Sequence, residues 1–249
     1  MNKNLRIAVV AGGMGFVGSA IVRHLAQDGF IIALLYHTTK EDVVDQALAR
    51  LSGGGHRAYQ CDFGDTRFTK EVLKRIEGEI GPIFAVIDAS GSLPRPKQLS
   101  ASSLEDVREQ FEAGVFGSFN FLSNCVSRLK EHKEGVIVGI TTAGVVTDRN
   151  TKARGAYSMV KYAVQGMLVA FREELAAYSI RVYSVAPGVM AGGLNKATPK
   201  AFLDMVREKI PSKKLATAED VAEQVAILCS EASQNVKTLT VLVAPECVS

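Results

Sequence analysis

Short apolar runs rich in β-branched residues punctuate the chain: Leu5 to Val10, Ile31 to Tyr36, Arg57 to Cys61, Ile83 to Asp88, Val136 to Thr141, Ile180 to Ala186 and Leu239 to Val243. Runs of this kind, too short for helices and apolar at successive positions, read as strands buried between two layers. The longer segments between most of them, such as Phe16 to Asp28, Ser103 to Lys130 and Tyr157 to Tyr178, are long enough to be crossover helices. Parallel strands require such crossovers, so the pattern predicts an α/β fold: a doubly wound parallel sheet of about seven strands with helices on both faces. Ligands of such sheets bind outside the carboxyl ends of the strands, which directs attention to the residues just after each run.

Hydrophobic residues occupy 47% of the 249 positions and mean hydropathy is +0.12, enough for one sizeable core and too apolar for a disordered chain. No Pro-rich, Ser-rich or charged linker interrupts the sequence, so residues 1–249 are expected to form a single domain. Lysine and arginine (29) barely exceed aspartate and glutamate (26), leaving +3. A balance so mild and dispersed points to a small-molecule partner and away from nucleic acid or membrane. The longest apolar run, Phe30 to Tyr36, falls far short of the roughly 20 residues that span a bilayer. Ile7 to Ala11 is followed at once by glycines, not by a cleavage pattern, and the expected location is cytoplasmic. Four scattered cysteines (Cys61, Cys125, Cys229, Cys247) and four isolated histidines (His24, His37, His56, His132) suggest neither a metal site nor a disulfide framework.

After the first run comes Ala11-Gly12-Gly13-Met14-Gly15-Phe16-Val17-Gly18, then a helical pattern with Val17, Ala20, Ile21 and Leu25 on one face. Glycines let a backbone turn tightly and approach a pyrophosphate, and the free N–H groups of a helix start favour an anion, so the loop reads as a dinucleotide site. Gly13, Gly15 and Gly18 satisfy G-x-G-x-x-G, while Gly12, Gly15 and Gly18 satisfy G-x-x-G-x-x-G. The second run ends Tyr36-His37-Thr38-Thr39-Lys40, with no acid before Glu41. A ribose 2′-phosphate would meet His37 and Lys40 there without a carboxylate, so NADP(H) is favoured over NAD(H). Asp62, after the third run, either accepts from the adenine amino group or caps the turn.

Tyr157 and Lys161 stand four apart in a helical pattern, on one face. A phenol ordinarily ionises near pH 10, and an adjacent cation brings it toward neutrality, where it can exchange a proton with a carbonyl or alcohol oxygen. Tyr36 and Lys40 share the spacing but straddle a strand end, where positions four apart do not face one another. The structural alternative makes Tyr157 a core residue and Lys161 a surface charge. Upstream, the strand ending Thr141-Thr142 offers a hydroxyl to a substrate oxygen, with either threonine eligible. Downstream, Pro187, Gly188 and Val189 follow a strand where their backbone could face a nicotinamide.

With the glycine loop, Tyr157/Lys161, the hydroxyl-bearing strand end and Pro187-Gly188 in this order, the chain resembles the short-chain dehydrogenase/reductase family over nearly its full length. Pro211 to Ala222 resembles the stretch before that family's last long helix. The resemblance implies a Rossmann-type fold and hydride transfer to or from nicotinamide. Tyr157 would be the acid/base, Lys161 would contact ribose and lower the phenol pKa, and Thr142 would position the substrate. It also implies cofactor contacts from Gly12, Gly13, Gly15, Phe16, Val17, Gly18, His37, Lys40, Asp62, Phe63, Ala89, Gly91, Lys161, Pro187, Gly188 and Val189. Four departures stand out. Phe16 occupies a glycine position of the common loop, and Asp88-Ala89-Ser90-Gly91 replaces Asn-Asn-Ala-Gly. Gly114 aligns with an asparagine that helps hold a proton-relay water, and Ala191, Gly192 and Gly193 stand where a threonine usually follows Pro-Gly.

Residues 189–214 are expected to cover the substrate. From Lys196 to Lys214 six cations face Asp204 and Glu208, a surplus of four that suits either an anionic substrate or acyl carrier, or a solvated face. Phe111, Val115, Phe116, Phe119 and Leu122 form an apolar stripe that suggests a homodimer or homotetramer. The function expected is NADP(H)-dependent oxidoreduction of a carbonyl/alcohol pair, with 3-oxoacyl substrates one option. The rival is a catalytically weak or silent dinucleotide-binding protein of the same fold; a scaffold without nucleotide binding is a third.

Overall fold

A computed structural model describes residues 6–91, 96–148, 153–196 and 198–244; the expected strand start at Leu5 and the cysteine Cys247 lie outside them. Seven strands, β1 (Ile7–Ala11), β2 (Ile31–Tyr36), β3 (Arg57–Gln60), β4 (Ile83–Asp88), β5 (Gly135–Ile140), β6 (Ile180–Pro187) and β7 (Thr240–Val243), form one sheet. Their order is β3-β2-β1-β4-β5-β6-β7 and every pairing is parallel. Alternation along β1 explains why the runs read as apolar throughout. Ala8 and Val10 enter one core, Ile7, Val9 and Ala11 the other, and all five are buried.

The first core is closed by α1 (Phe16–Gln27) and α9 (Ala218–Cys229), with Val44 of α2 (Glu41–Ala49) at its edge. The second is closed by α3 (Thr66–Ile80), α5 (Gly117–His132) and α7 (Gly155–Leu175) through Leu73, Phe121 and Leu168. The helix expected over Ser103 to Lys130 is interrupted. After α4 (Leu104–Phe111) comes a π-helical turn at Glu112–Phe116, and only then α5. α7 likewise starts before Tyr157 and closes in a 3-10 turn at Ala176–Tyr178. Two shorter helices, α6 (Gly144–Thr147) and α8 (Lys200–Glu208), flank α7 and β6 in the chain. No helix among the described residues is long and apolar enough to cross a membrane. Strand order reverses between β1 and β4, and the crevice at their carboxyl ends is where such a sheet binds ligands.

Candidate active site

After β1 the chain turns through Gly12 at φ 72°, where a β-carbon would sit 2.5 Å from the Ala89 carbonyl oxygen. A β-carbon on Gly18 would collide with the Gly12 carbonyl oxygen, and one on Gly15 would lie 3.1 Å from the same atom. Gly12, Gly15 and Gly18 are therefore the frame this loop requires, while Gly13 faces Leu34 and Val22. Gly15 caps α1 without any side-chain hydrogen bond, so no capping side chain occupies the first-turn N–H groups at Phe16, Val17 and Gly18. A glycine cradle ending in bare N–H donors fits a dinucleotide pyrophosphate. Phe16 opens α1 with its ring packed on Gly192 and Gly193, whose β-carbons would lie 2.6 and 2.8 Å from ring atoms.

At the end of β2, His37 and Lys40 are exposed. The ribose edge is free of acids along the chain but not across the sheet. His37 Nε2 lies 3.7 Å from Asp62 Oδ2, an ion pair when the imidazole is protonated. Asp62 Oδ1 also accepts the Gly64 N–H at 2.8 Å, closing the turn, whereas the cap of α3 is Asp65, whose Oδ1 accepts from Phe68 N–H at 2.9 Å. The Phe63 ring packs on Phe121, centroids 4.9 Å apart.

β4 ends at Asp88, a buried carboxylate whose Oδ1 accepts the N–H of Ser90 at 3.0 Å and its hydroxyl as well. Ala89 N–H donates to Ala11 O at 3.1 Å, and a β-carbon on Gly91 would stand 3.7 Å from Lys161 Nζ. The turn thus passes between the glycine loop and the ammonium. Beyond β5 the two hydroxyls part. Thr141 is buried, its Oγ1 2.8 Å from Ser184 Oγ and 3.3 Å from Val185 O, whereas Thr142 is half-buried and its hydroxyl acts on the Tyr157 phenol. Pro187 O accepts from Ala143 N–H and Gly188 N–H donates to Val243 O, which fixes the β6 end; the half-buried Val189 follows.

On α7, Lys161 Nζ donates to Ile140 O at 2.8 Å and lies 6.0 Å from the Tyr157 ring centroid. At 8% exposure Lys161 is not the surface charge of the structural alternative. Burial pushes the Lys161 ammonium pKa down, opposed by the Asp88 carboxylate. Burial likewise pushes the Tyr157 phenol up, opposed by the Arg154 guanidinium and the Thr142 hydroxyl. The expected lowering by Lys161 is thus replaced by a net rise, because burial outweighs the charges and the resolved opposing charge is Arg154. Arg154 and Asp88 escaped sequence reasoning. The signal for Arg154 was a cation one turn before the phenol, and for Asp88 a lone acid ending an apolar strand.

The π-helical turn carries Gly114, where a β-carbon would lie 2.5 Å from Val160 Cγ1. Within residues 198–214, Arg207 pairs with Asp204 at 2.5 Å and Lys213 with Glu208 at 3.0 Å. Both local acids are therefore spent inside the segment. Of the apolar stripe, Phe116 and Phe119 are exposed while Leu122 is buried in the second core.

The family model described as enoyl-(acyl carrier protein) reductase matches residues 12–244. The chain belongs to the short-chain dehydrogenase/reductase family. As a member it is an oxidoreductase of carbonyl/alcohol pairs that uses a nicotinamide dinucleotide. It is 25% identical over 244 residues to the 3-oxoacyl-acyl-carrier-protein reductase FabG of Staphylococcus epidermidis, covering 97% of each chain. It is 28% identical over 231 residues to acetoacetyl-CoA reductase of Cupriavidus necator, covering 92% of each. Among solved structures, an NAD+-bound xylitol dehydrogenase superposes with TM-score 0.88 at 20% identity, covering 98% of this chain and 100% of that one. A gluconate 5-dehydrogenase of Burkholderia cenocepacia in complex with NADP and tartrate gives 0.85 at 21% identity, covering 96% and 93%. Within this short-chain dehydrogenase/reductase, the Val160 methyl fills the space a side chain at position 114 would need.

Proposed function

We propose that this dehydrogenase/reductase is an NADP(H)-dependent carbonyl reductase of the 3-oxoacyl type, acting as a homodimer or homotetramer. The observation that carries the reading is the convergence of Tyr157, Thr142 and Lys161 beside the Gly91 turn, across the crevice from the glycine cradle. Gly12, Gly15 and Gly18 with the first-turn N–H groups of α1 would hold the pyrophosphate, and His37 and Lys40 the ribose edge. When bound, the nicotinamide supplies or accepts the hydride. Tyr157 donates its proton to the substrate carbonyl oxygen in reduction, and Thr142 hydrogen-bonds the same oxygen as charge develops. Lys161, held through Ile140 O, keeps a positive charge below the phenol and stabilises it once deprotonated. Two curated relatives whose names specify acyl-thioester substrates, and a stretch from Lys196 to Lys214 whose acids are already paired, support an anionic acyl carrier or coenzyme handle. The exposed Phe116 of the π-helical turn and Phe119 of α5 support self-association through this stretch.

The test follows NADPH absorbance with acetoacetyl-CoA, a simple β-keto ester and a sugar ketone, with Tyr157→Phe in parallel. Oxidation of NADPH that prefers the thioester and falls at least ~100-fold in the variant is the expected result. Equal rates with NADH, or rates indifferent to the variant, would overturn it.

A further inference from the structure

The cover segment touches the cleft at two points that belong to different machinery. On the cofactor side the Phe16 ring lies against Gly192 and Gly193, at φ 138° and 54°, where any side chain would strike the ring. On the other side Arg154 Nη2 donates to Asn195 Oδ1 at 2.7 Å. Asn195 in turn donates through Nδ2 to Met190 O at 3.0 Å, so the 3-10 turn Gly193–Asn195 is closed on itself as well as on Arg154. The Arg154 backbone is a fixed post. Ala153 O accepts from Lys97 N–H at 2.9 Å, Lys97 and Arg154 form a parallel bridge, and Arg154 O accepts from Ser158 N–H at 2.9 Å. Among the described residues its guanidinium has Asn195 and the Leu194 carbonyl as partners and no carboxylate.

We infer that Arg154 is a positioning residue: by donating to Asn195 it fastens the turn Gly193–Asn195 over the Tyr157 end of the cleft, while Phe16 seats the same turn from the cofactor side. The consequence rests on the reading of Tyr157 as the acid/base. Arg154 stands three residues before Tyr157, and its charge favours the ionised phenol. A neutral amide holds the guanidinium, so its charge is not cancelled by its own anchor. The groups acting on the phenol are Arg154 and Thr142, with Lys161 one turn on and Asp88 of β4 acting on Lys161. Closing the cover over substrate and holding a second cation at the acid/base are therefore one event. An open turn would release Arg154 to solvent and withdraw that charge.

Three readouts test this on the full-length protein, two of them independent of turnover. The chain has no tryptophan and six tyrosines, so tyrosinate absorbance near 295 nm, with the Tyr157→Phe titration subtracted, reports Tyr157. Arg154→Met should move that titration to higher pH, and Arg154→Lys should restore part of the change. Hydrogen exchange at the Asn195 and Lys196 amides, which bond to Gly192 O and Gly193 O, should quicken about tenfold in Arg154→Met and in Asn195→Ala, the population change expected on losing one hydrogen bond to a charged group. With acetoacetyl-CoA and NADPH, Asn195→Ala should raise KM more than it lowers kcat, and Arg154→Met should lower kcat as well. Unchanged exchange in both variants overturns the clasp, and an unmoved titration in Arg154→Met overturns its link to Tyr157. Absence of turnover in the wild type would instead refute the substrate reading and leave the first two readouts standing.

Discussion

Gly114 and Val160 offer the sharpest test of packing at the site. Val160 is 2% exposed, directly precedes Lys161, and its Cγ1 would be 2.5 Å from a β-carbon at position 114. Contacts at that distance must open by about 1 Å, so Gly114→Ala carries an overpacking cost of about 1–3 kcal/mol. About 1 kcal/mol of this is offset because alanine suits a helical position better than glycine. The net expectation is about 1 kcal/mol of destabilisation. Val160→Ala removes two buried methyl groups and leaves a small void, costing about 2 kcal/mol. In the double variant the new methyl at 114 occupies the space vacated by Cγ1, and the helix gain is kept. Its loss should then be about 1 kcal/mol or less, where the two single changes would sum to about 3 kcal/mol, a coupling of about 2 kcal/mol. Urea denaturation followed by far-ultraviolet circular dichroism measures all three. Additivity within about 0.5 kcal/mol would show that the two positions do not compete for one space and would refute the explanation of the glycine.

Gly18→Ala should abolish NADPH binding by calorimetry, since its β-carbon would meet the Gly12 carbonyl oxygen; binding within about threefold of wild type would contradict the assigned cradle. Thr142→Val should lower kcat by about 100-fold with little change in stability. Thr141→Val should instead leave kcat intact and cost about 1–2 kcal/mol by stranding the Ser184 hydroxyl; the reverse pattern would exchange their roles. Replacing His37 and Lys40 together by alanine should weaken NADPH about tenfold and leave NADH unchanged, as the loss of a charge-assisted phosphate contact requires; equal weakening of both cofactors would remove the preference for the 2′-phosphate. Phe119→Glu, which puts a charge on an exposed ring position of α5, should dissociate the assembly in sedimentation, and a monomeric wild type would refute the apolar-stripe argument.

Features encoded locally were readable from the chain. β2 and β4 end on the expected residues because each is an apolar run closed by a polar turn, and buried parallel strands leave no competing period. Tyr157 and Lys161 share a face because four residues make one helical turn, wherever the helix begins. What escaped was set by tertiary approach. His37 and Asp62 meet although 25 positions separate them, since β2 and β3 pair in register and deliver both to one edge. An acid-free segment in sequence was therefore not an acid-free site. Lys161 is buried because the turn through Gly91 and the Ile140 carbonyl close over its ammonium, and no local pattern distinguishes such a lysine from one that reaches solvent. The π-helical turn at Gly114 left a trace, a glycine inside a long helical pattern, but the valine that faces it stands 46 positions away.

The departures from the family pattern acquire a physical sense when taken in pairs. Phe16 in place of a loop glycine would leave an aromatic ring beside the cofactor cleft, and Gly192-Gly193 in place of the usual threonine would leave a bare turn. In the fold the ring covers the turn, and both glycines are required because a β-carbon at either would strike it. At Gly114 a β-carbon would stand 2.5 Å from Val160 Cγ1, so the valine methyl takes the space a side chain there would need. In each pair the partners lie far apart in sequence, 176 residues between Phe16 and Gly192 and 46 between Gly114 and Val160, yet the Phe16 ring meets Gly192 and Gly193 and the Val160 methyl meets Gly114. Around one cleft, the Phe16 ring and the Val160 methyl each leave room for nothing larger than glycine at the position they face. The turn at Gly192-Gly193 therefore rests on the Phe16 ring, and α7 rests through Val160 on the turn at Gly114.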